Sequence, residues 1–326
     1  MNNTLVRPYT PPDWATIAPL VEAWPFKPFA RHGRWNAADL FSFTSARIRK
    51  TLENENSASF VMPREHHARG FASFTMLPWD SEQIGVPSAR IDYLVAEGSY
   101  VEQYQTKKKL LDHVIVAADE RGVRHLSVRV DASDLSSLHL LEQEDFITVD
   151  SILTRALDLA AHQSVPPPDD FKIRLATAGD AERAAALART AFVYDRFHAD
   201  PFISSERAGE LHATWLHNSC TGKAADAVVL AEDHTGLLGF MTCALQRDTR
   251  KLGRMVGTVV MVASAERARG RGVAYATLMA AIDWFREQGC EIVDIGTQVR
   301  NIPCTGLLQK CDFRLVGASI SLRRVL

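Results

Sequence analysis

Residues 258–285 change their apolar period at one point. Thr258-Val-Val-Met-Val-Ala263 is a continuous apolar run, read as part of a strand. Ala274, Leu278, Ala281, Ile282 and Phe285 then recur at helical spacing. Between the two patterns stands Arg269-Gly270-Arg271-Gly272. Read in the same way, the second half of the chain predicts strands at 171–175, 226–231, 238–246, 255–264, 291–296 and 314–324. Helices are predicted at 180–193, 205–219, 272–288 and 302–310, and the first half follows the same order. Strands and helices mixed in this order imply an α/β fold, with a central sheet flanked by helices.

The two halves also match each other at a constant offset of 167 residues. Val6-Arg7 pairs with Ile173-Arg174, and Thr10-x-x-Asp13 with Thr177-x-x-Asp180, each a helix-start capping pattern. Glu120-Arg-Gly122 pairs with Glu287-Gln-Gly289, Asp134 with Asn301, Leu140-Leu141 with Leu307-Leu308, and Asp145-Phe146 with Asp312-Phe313. One register held from end to end reads as a duplication. The stretch 163–170, with three consecutive prolines, reads as a stiff linker. It divides a first domain, 1–162, from a second, 171–326.

A strand that turns through glycines into a helix presents unpaired backbone N–H groups at the positive end of the helix dipole. Such a turn is a cradle for a diphosphate. Neither the P-loop pattern nor the full dinucleotide fingerprint is present, since Tyr275 stands where a third glycine is needed. Arg269–Ala274 reads R-x-x-G-x-A, and downstream comes Asn301-Ile-Pro-Cys-Thr-Gly-Leu-Leu-Gln-Lys-Cys-Asp-Phe313. Together they resemble the acyl-CoA site of the GNAT superfamily of N-acyltransferases, over roughly residues 171–326. The resemblance implies tandem GNAT folds, each a central mixed, mostly antiparallel sheet flanked by helices. It implies acetyl-CoA as cofactor. It places the coenzyme on Met261, Val262, Ala263, Ser264, Arg269, Gly270, Arg271, Gly272, Val273, Ala274, Asn301, Cys304 and Leu308. At the same offset the first domain carries Glu102-Gln-Tyr-Gln-Thr-Lys107, without glycine. That domain is therefore read as a degenerate GNAT-like domain lacking the cradle.

Two further segments narrow the resemblance. Leu77-Pro-Trp-Asp-Ser-Glu-Gln-Ile-Gly-Val-Pro-Ser-Ala-Arg90 and Tyr194-Asp-Arg-Phe-His-Ala-Asp-Pro201 are similar to segments of TDP-fucosamine acetyltransferase and its relatives. This implies an acceptor that is a small-molecule amine, in particular an amino-dideoxy sugar carried on a nucleotide. Tyr194, Arg196, Phe197 and Trp79 are its expected contacts. Arg suits a diphosphate, and Phe suits stacking on a base or sugar. His198 and Asp200 are the expected acid/base residues.

One departure weakens the catalytic reading. The family's usual acid is a Tyr in the Asn-led helix, and here that position is Leu308. A non-catalytic acyl-CoA-binding sensor or scaffold therefore stands as the alternative. Bulk properties exclude other classes. A formal net charge of −2 argues against a nucleic-acid binder. No apolar run reaches membrane length and the N-terminus is not a signal peptide, so no membrane partner and a cytoplasmic location are expected. The five cysteines are not spaced as a zinc site, so they are read as reduced thiols and no metal is expected. Arg247, Arg250, Lys251 and Arg254 are read as a solvated hairpin turn.

Overall fold

A computed structural model describes residues 5–64, 66–160, 162 and 170–326. Residues 163–169 of the proline-rich linker lie outside the described residues. The chain forms two compact units, Met1–Ser151 with Ala318–Leu326, and Ile152–Gly317.

The first half contains β1 (Arg7–Pro8), α1 (Trp14–Ala23), α2 (Ala37–Leu52), β2 (Ser57–Pro63), β3 (Ala68–Met76) and α3 (Pro78–Ile84). It continues through β4 (Ser88–Ala96), α4 (Tyr100–Glu120), β5 (His125–Asp131), α5 (Leu135–Gln143) and β6 (Ile147–Asp158). The second half contains β7 (Lys172–Leu175), α6 (Ala181–Ala191), α7 (Arg196–Ala199), α8 (Ser205–Cys220), β8 (Ala227–Asp233) and β9 (Gly236–Gln246). Then come β10 (Val256–Ser264), α9 (Val273–Glu287), β11 (Ile292–Gln298), α10 (Ile302–Lys310) and β12 (Arg314–Val325). The offset of 167 carries β5, α5 and β6 onto β11, α10 and β12 with identical bounds. Asp145 and Asp312 share a left-handed φ of 61° before their phenylalanines. That conformation is ordinarily given to glycine, and Asp is among the few other residues that adopt it readily.

In the first unit the strands run β1-β2-β3-β4-β5-β12 and in the second β6-β11-β10-β9-β8-β7. The linker thus does not partition the fold at one point, as the sequence reading had it. Ser319–Val325 of β12 pair with β5 in the first unit. Ile152–Asp158 of β6 pair with β11 in the second. A strand's ladder carries no local signature of which sheet it joins, and the two strands are equivalent in the repeat, so the pattern alone could not show the exchange.

In each unit, buried apolar side chains gather on both faces of the sheet. In the second unit, Leu278, Ile282 and Phe285 of α9 pack with Val259, Val293, Leu308 and Phe313. Ala184 and Ala188 of α6 and Leu216 of α8 pack with Val228, Leu230, Phe240 and Met261. A Cβ at Gly257 would lie 2.3 Å from the Phe285 ring, so glycine is what lets α9 seat on β10.

Candidate active site

The second unit opens at the C-terminal end of β10. This strand pairs in parallel with β11 only from Val256 to Val259, the last match being Val259 with Ile295. On its other edge it stays paired to β9 as far as Ser264, with a bulge between Val259 and Val262. Ala265 N–H donates to Leu238 O, so its polar groups face β9. By strand alternation those of Val262 and Ser264 face the β11 side, where the ladder has ended. Two strands that part in this way leave backbone donors and acceptors lining a wedge. Met261 contributes little to it. Its side chain is buried in the core and its N–H donates to Thr242 Oγ1.

The cradle stands beside the wedge. Gly270 and Gly272 have φ of 77° and 78°, left-handed conformations that favour glycine. They hold residues 269–272 out of the helix, so that α9 starts at Val273 with Gly272 as N-cap and no side-chain cap. The first-turn N–H groups have no acceptor within the helix and sit at its positive end. Two of the three nearby arginines are committed to shaping this turn. Arg267 bonds Thr235 and Leu237 O, and Arg271 bonds Asp233 and Asp170. Arg269 has a side chain 71% exposed, its ion-pair contact among the described residues being Glu266 at 3.4 Å, and it is the arginine open to a phosphate.

At the equivalent place the first unit is built differently. Residues 100–105 are helical there, so α4 starts earlier than α9 by these residues, although both end at equivalent glutamates. Ser99 caps that end and Glu102 closes the capping box. Lys107, the counterpart of Ala274, turns inward. Its ammonium, 3% exposed, bonds both carboxylate oxygens of Asp134 (2.8 and 3.0 Å) and the hydroxyls of Ser136 and Ser137. Asp134 and Ser137 are the counterparts of Asn301 and Cys304. Burial pushes the Lys107 pKa down, against the pull of Asp134.

The expected acceptor segment is anchored from below by one carboxylate. Asp195 caps the short helix α7, accepting from Phe197 N and His198 N, and its Oδ2 lies 2.7 Å from His198 Nδ1. Burial raises the Asp195 pKa, but the His198 hydrogen bond and the neighbouring histidines outweigh it and hold the acid below its usual range. A carboxylate only accepts, so Nδ1 of His198 is the donor of this bond, which turns Nε2 away from Asp195 Oδ2. His212 supports the pair. Its Nδ1 donates to Ala208 O at 2.7 Å, and its ring stacks on Phe192 at 4.2 Å and beside His198 at 5.5 Å. Burial lowers its pKa and favours the neutral ring.

Ligand atoms of Asp195, His198 and His212 all lie within 4.8 Å of one another. Zinc at about 2.1 Å from each ligand keeps tetrahedral ligands roughly 3.3 Å apart. The 2.7 Å contact between His198 and Asp195 is instead the length of a hydrogen bond.

Several expected contacts lie elsewhere. Phe197 is buried, with the Arg196 guanidinium 4.4 Å above its ring, so it packs rather than offering a stacking face. Asp200 is 3% exposed and accepts from Phe202 N, a turn-forming role that does not suit proton transfer. Leu308 is buried in the core, and Leu307 is the half-buried member of that pair. Asn301 caps α10 by accepting from Cys304 N. Burial raises the Cys304 thiol pKa, keeping it protonated. Tyr194 is 38% exposed, and Trp79 lies half-buried in α3 of the first unit. The basic run is a 3-10 turn, Arg247–Leu252, in which Arg247 pairs with Asp226, while Arg254 beyond it pairs with Glu291. Asp195 and His212 were missed by the sequence reading. The signal for Asp195 was its place before a short helix, as an N-cap. His212 gave none, since a histidine on a buried helix face is indistinguishable from core.

Comparison with known proteins agrees with this geometry. Residues 190–313 match the family model described as Acetyltransferase (GNAT) family. Over 238 residues, 68% of this chain and 79% of the relative, the sequence is 26% identical to the spore coat polysaccharide biosynthesis protein SpsD of Bacillus subtilis (strain 168). A GCN5-related N-acetyltransferase from Sphaerobacter thermophilus shares the fold at a TM-score of 0.61 and 18% identity, covering 98% of this chain and 95% of that one. A tandem GNAT protein from the clavulanic acid biosynthesis pathway does so at 0.59 and 14%, covering 98% of each chain. Fold and site together define a tandem GNAT architecture. Residues 190–313 carry an Acetyltransferase (GNAT) family domain, which indicates an acyl-CoA-dependent N-acetyltransferase.

Proposed function

We propose that the second unit moves an acetyl group from acetyl-CoA to the amine of an amino-dideoxy sugar carried on a nucleotide, with His198 as the proton acceptor. The observation that carries this reading is the Asp195–His198 pair, which sits in the segment between α6 and α8 with Nδ1 held 2.7 Å from the carboxylate. The similarity to a polysaccharide biosynthesis protein supports a sugar as the acceptor. In this reading the diphosphate of coenzyme A rests on residues 269–274, and the thioester lies in the wedge between β10 and β11. The amine nitrogen attacks the carbonyl carbon. The oxygen, as it gains charge, is met by backbone N–H groups of Val262 or Ser264. The carbon–sulfur bond breaks, the N–H proton passes to His198 Nε2, and coenzyme A leaves as the thiolate. Buried Leu308 offers no acid, so that thiolate takes its proton from solvent.

The test is release of free thiol from acetyl-CoA in the presence of dTDP-4-amino-4,6-dideoxygalactose. We expect turnover, and His198→Gln should lower kcat by about 10²- to 10⁴-fold with acetyl-CoA affinity unchanged. Tight acetyl-CoA binding without turnover on any amino sugar nucleotide would sink the acceptor assignment.

A further inference from the structure

The base of the proposed reaction is held in place from a distance. Asp195 orients His198, and the residue before it, Tyr194, is fastened by its carbonyl. Arg300 donates to that one oxygen from both Nε (3.1 Å) and Nη2 (2.9 Å). Arg300 stands in the tight turn that links β11 to α10, where Asn301 N–H returns to Gln298 O. This turn begins where β11 has already parted from β10, and it is immediately followed by Asn301, the N-cap of α10. One guanidinium thus joins the segment bearing the Asp195–His198 pair to the far wall of the wedge.

We infer that Arg300 is a positioning residue for the transfer: it fixes the Asp195–His198 pair relative to the wedge by clamping the Tyr194 carbonyl. This rests on the reading that the wedge holds the thioester and that His198 takes the proton. The geometry asks for arginine in particular. Two N–H groups of one planar fork converge on one oxygen, which defines the direction of the carbonyl as well as its distance. A lysine ammonium on a flexible stem fixes distance alone. The segment needs such a clamp because α7 is only four residues long. A helix that short has no stability of its own. Displacing a reacting group by about 1 Å costs on the order of 10²-fold in rate, so a clamp far from the chemistry can matter as much as a group within it.

The experiment compares the full-length protein with Arg300→Ala and Arg300→Lys. Amide hydrogen exchange of peptides covering 192–203 should speed up at least tenfold in Arg300→Ala, while peptides covering 269–288 keep their native rates. With acetyl-CoA and dTDP-4-amino-4,6-dideoxygalactose, kcat should fall at least tenfold and acetyl-CoA affinity by calorimetry should stay within twofold. Added guanidinium should restore part of the lost rate to Arg300→Ala. Arg300→Lys, which keeps the charge, should still be slow. Native exchange at 192–203 in Arg300→Ala would overturn the clamp, as would equal loosening at 269–288. If the wild-type protein does not turn over that sugar, the acceptor assignment fails, and the exchange rates still decide the clamp.

Discussion

Lys107 shows how one residue can fill a site from within. In the second unit the same place carries Ala274, whose side chain is a single methyl. In the first unit an ammonium with four hydrogen-bond contacts occupies the space between α4 and α5. Taking a lysine and an aspartate out of water is expensive, and the pair is tolerated because every donor and both carboxylate oxygens find partners. Removing one member is then far worse than removing both. We expect Lys107→Met to destabilise the protein by about 3 kcal/mol in urea unfolding. Adding Asp134→Leu should recover most of that loss. Recovery absent from the double variant would mean that Asp134 has a second role of similar weight. Neither variant should gain a second bound acetyl-CoA, because Ser99 and Glu102 still close the end of α4.

At the scale of elements, one difference between the units is where a helix begins. Two left-handed glycines keep residues 269–272 out of α9, and without them the same stretch winds on as helix in α4. Gly272→Gln copies the first unit at this point. Gln at a φ of 78° is strained by roughly 1–2 kcal/mol, so the turn should rewind towards helix and withdraw the N–H groups. Calorimetry should show acetyl-CoA affinity reduced at least 100-fold, with the fold intact by circular dichroism. Unchanged affinity would remove the cradle from the cofactor site. This part of the site was legible in the sequence because glycine spacing and a change of apolar period are local signals. The strands and helices of the second half were legible for the same reason, their ends falling within a few residues of the observed ones. What was not legible depends on contacts between distant positions. The segment at 194–200 reads as a loop, but Asp195 winds four of its residues into α7, and His212 and Arg300 reach it from other elements. Phe197 and Asp200 looked available because their burial is set by α8 and by the turn that follows, not by their neighbours in sequence.

For the molecule as a whole, the repeat is completed by exchange. The last strand of the second half finishes the first unit, and the last strand of the first half finishes the second. Neither half of the chain therefore contains a full sheet. We expect residues 1–162 and 171–326, expressed as separate chains in one cell, to co-purify as a complex that binds acetyl-CoA. Each expressed alone should be insoluble or unfolded, as an edge of β5 or β11 is left unpaired. Independent folding of 171–326 with native acetyl-CoA affinity would show that β12 can take the place of β6. The exchange also bears on how such a chain can evolve. The first half carries no glycines at the counterparts of Gly270 and Gly272, yet it cannot be deleted without taking a strand with it. A truncation that discards the first half also removes β6 from the second unit, so each shortening step is expected to pass through a protein with an unpaired strand edge. On this reading the first half is kept by the strand it lends, and its own interior can be rebuilt in place, as at Lys107.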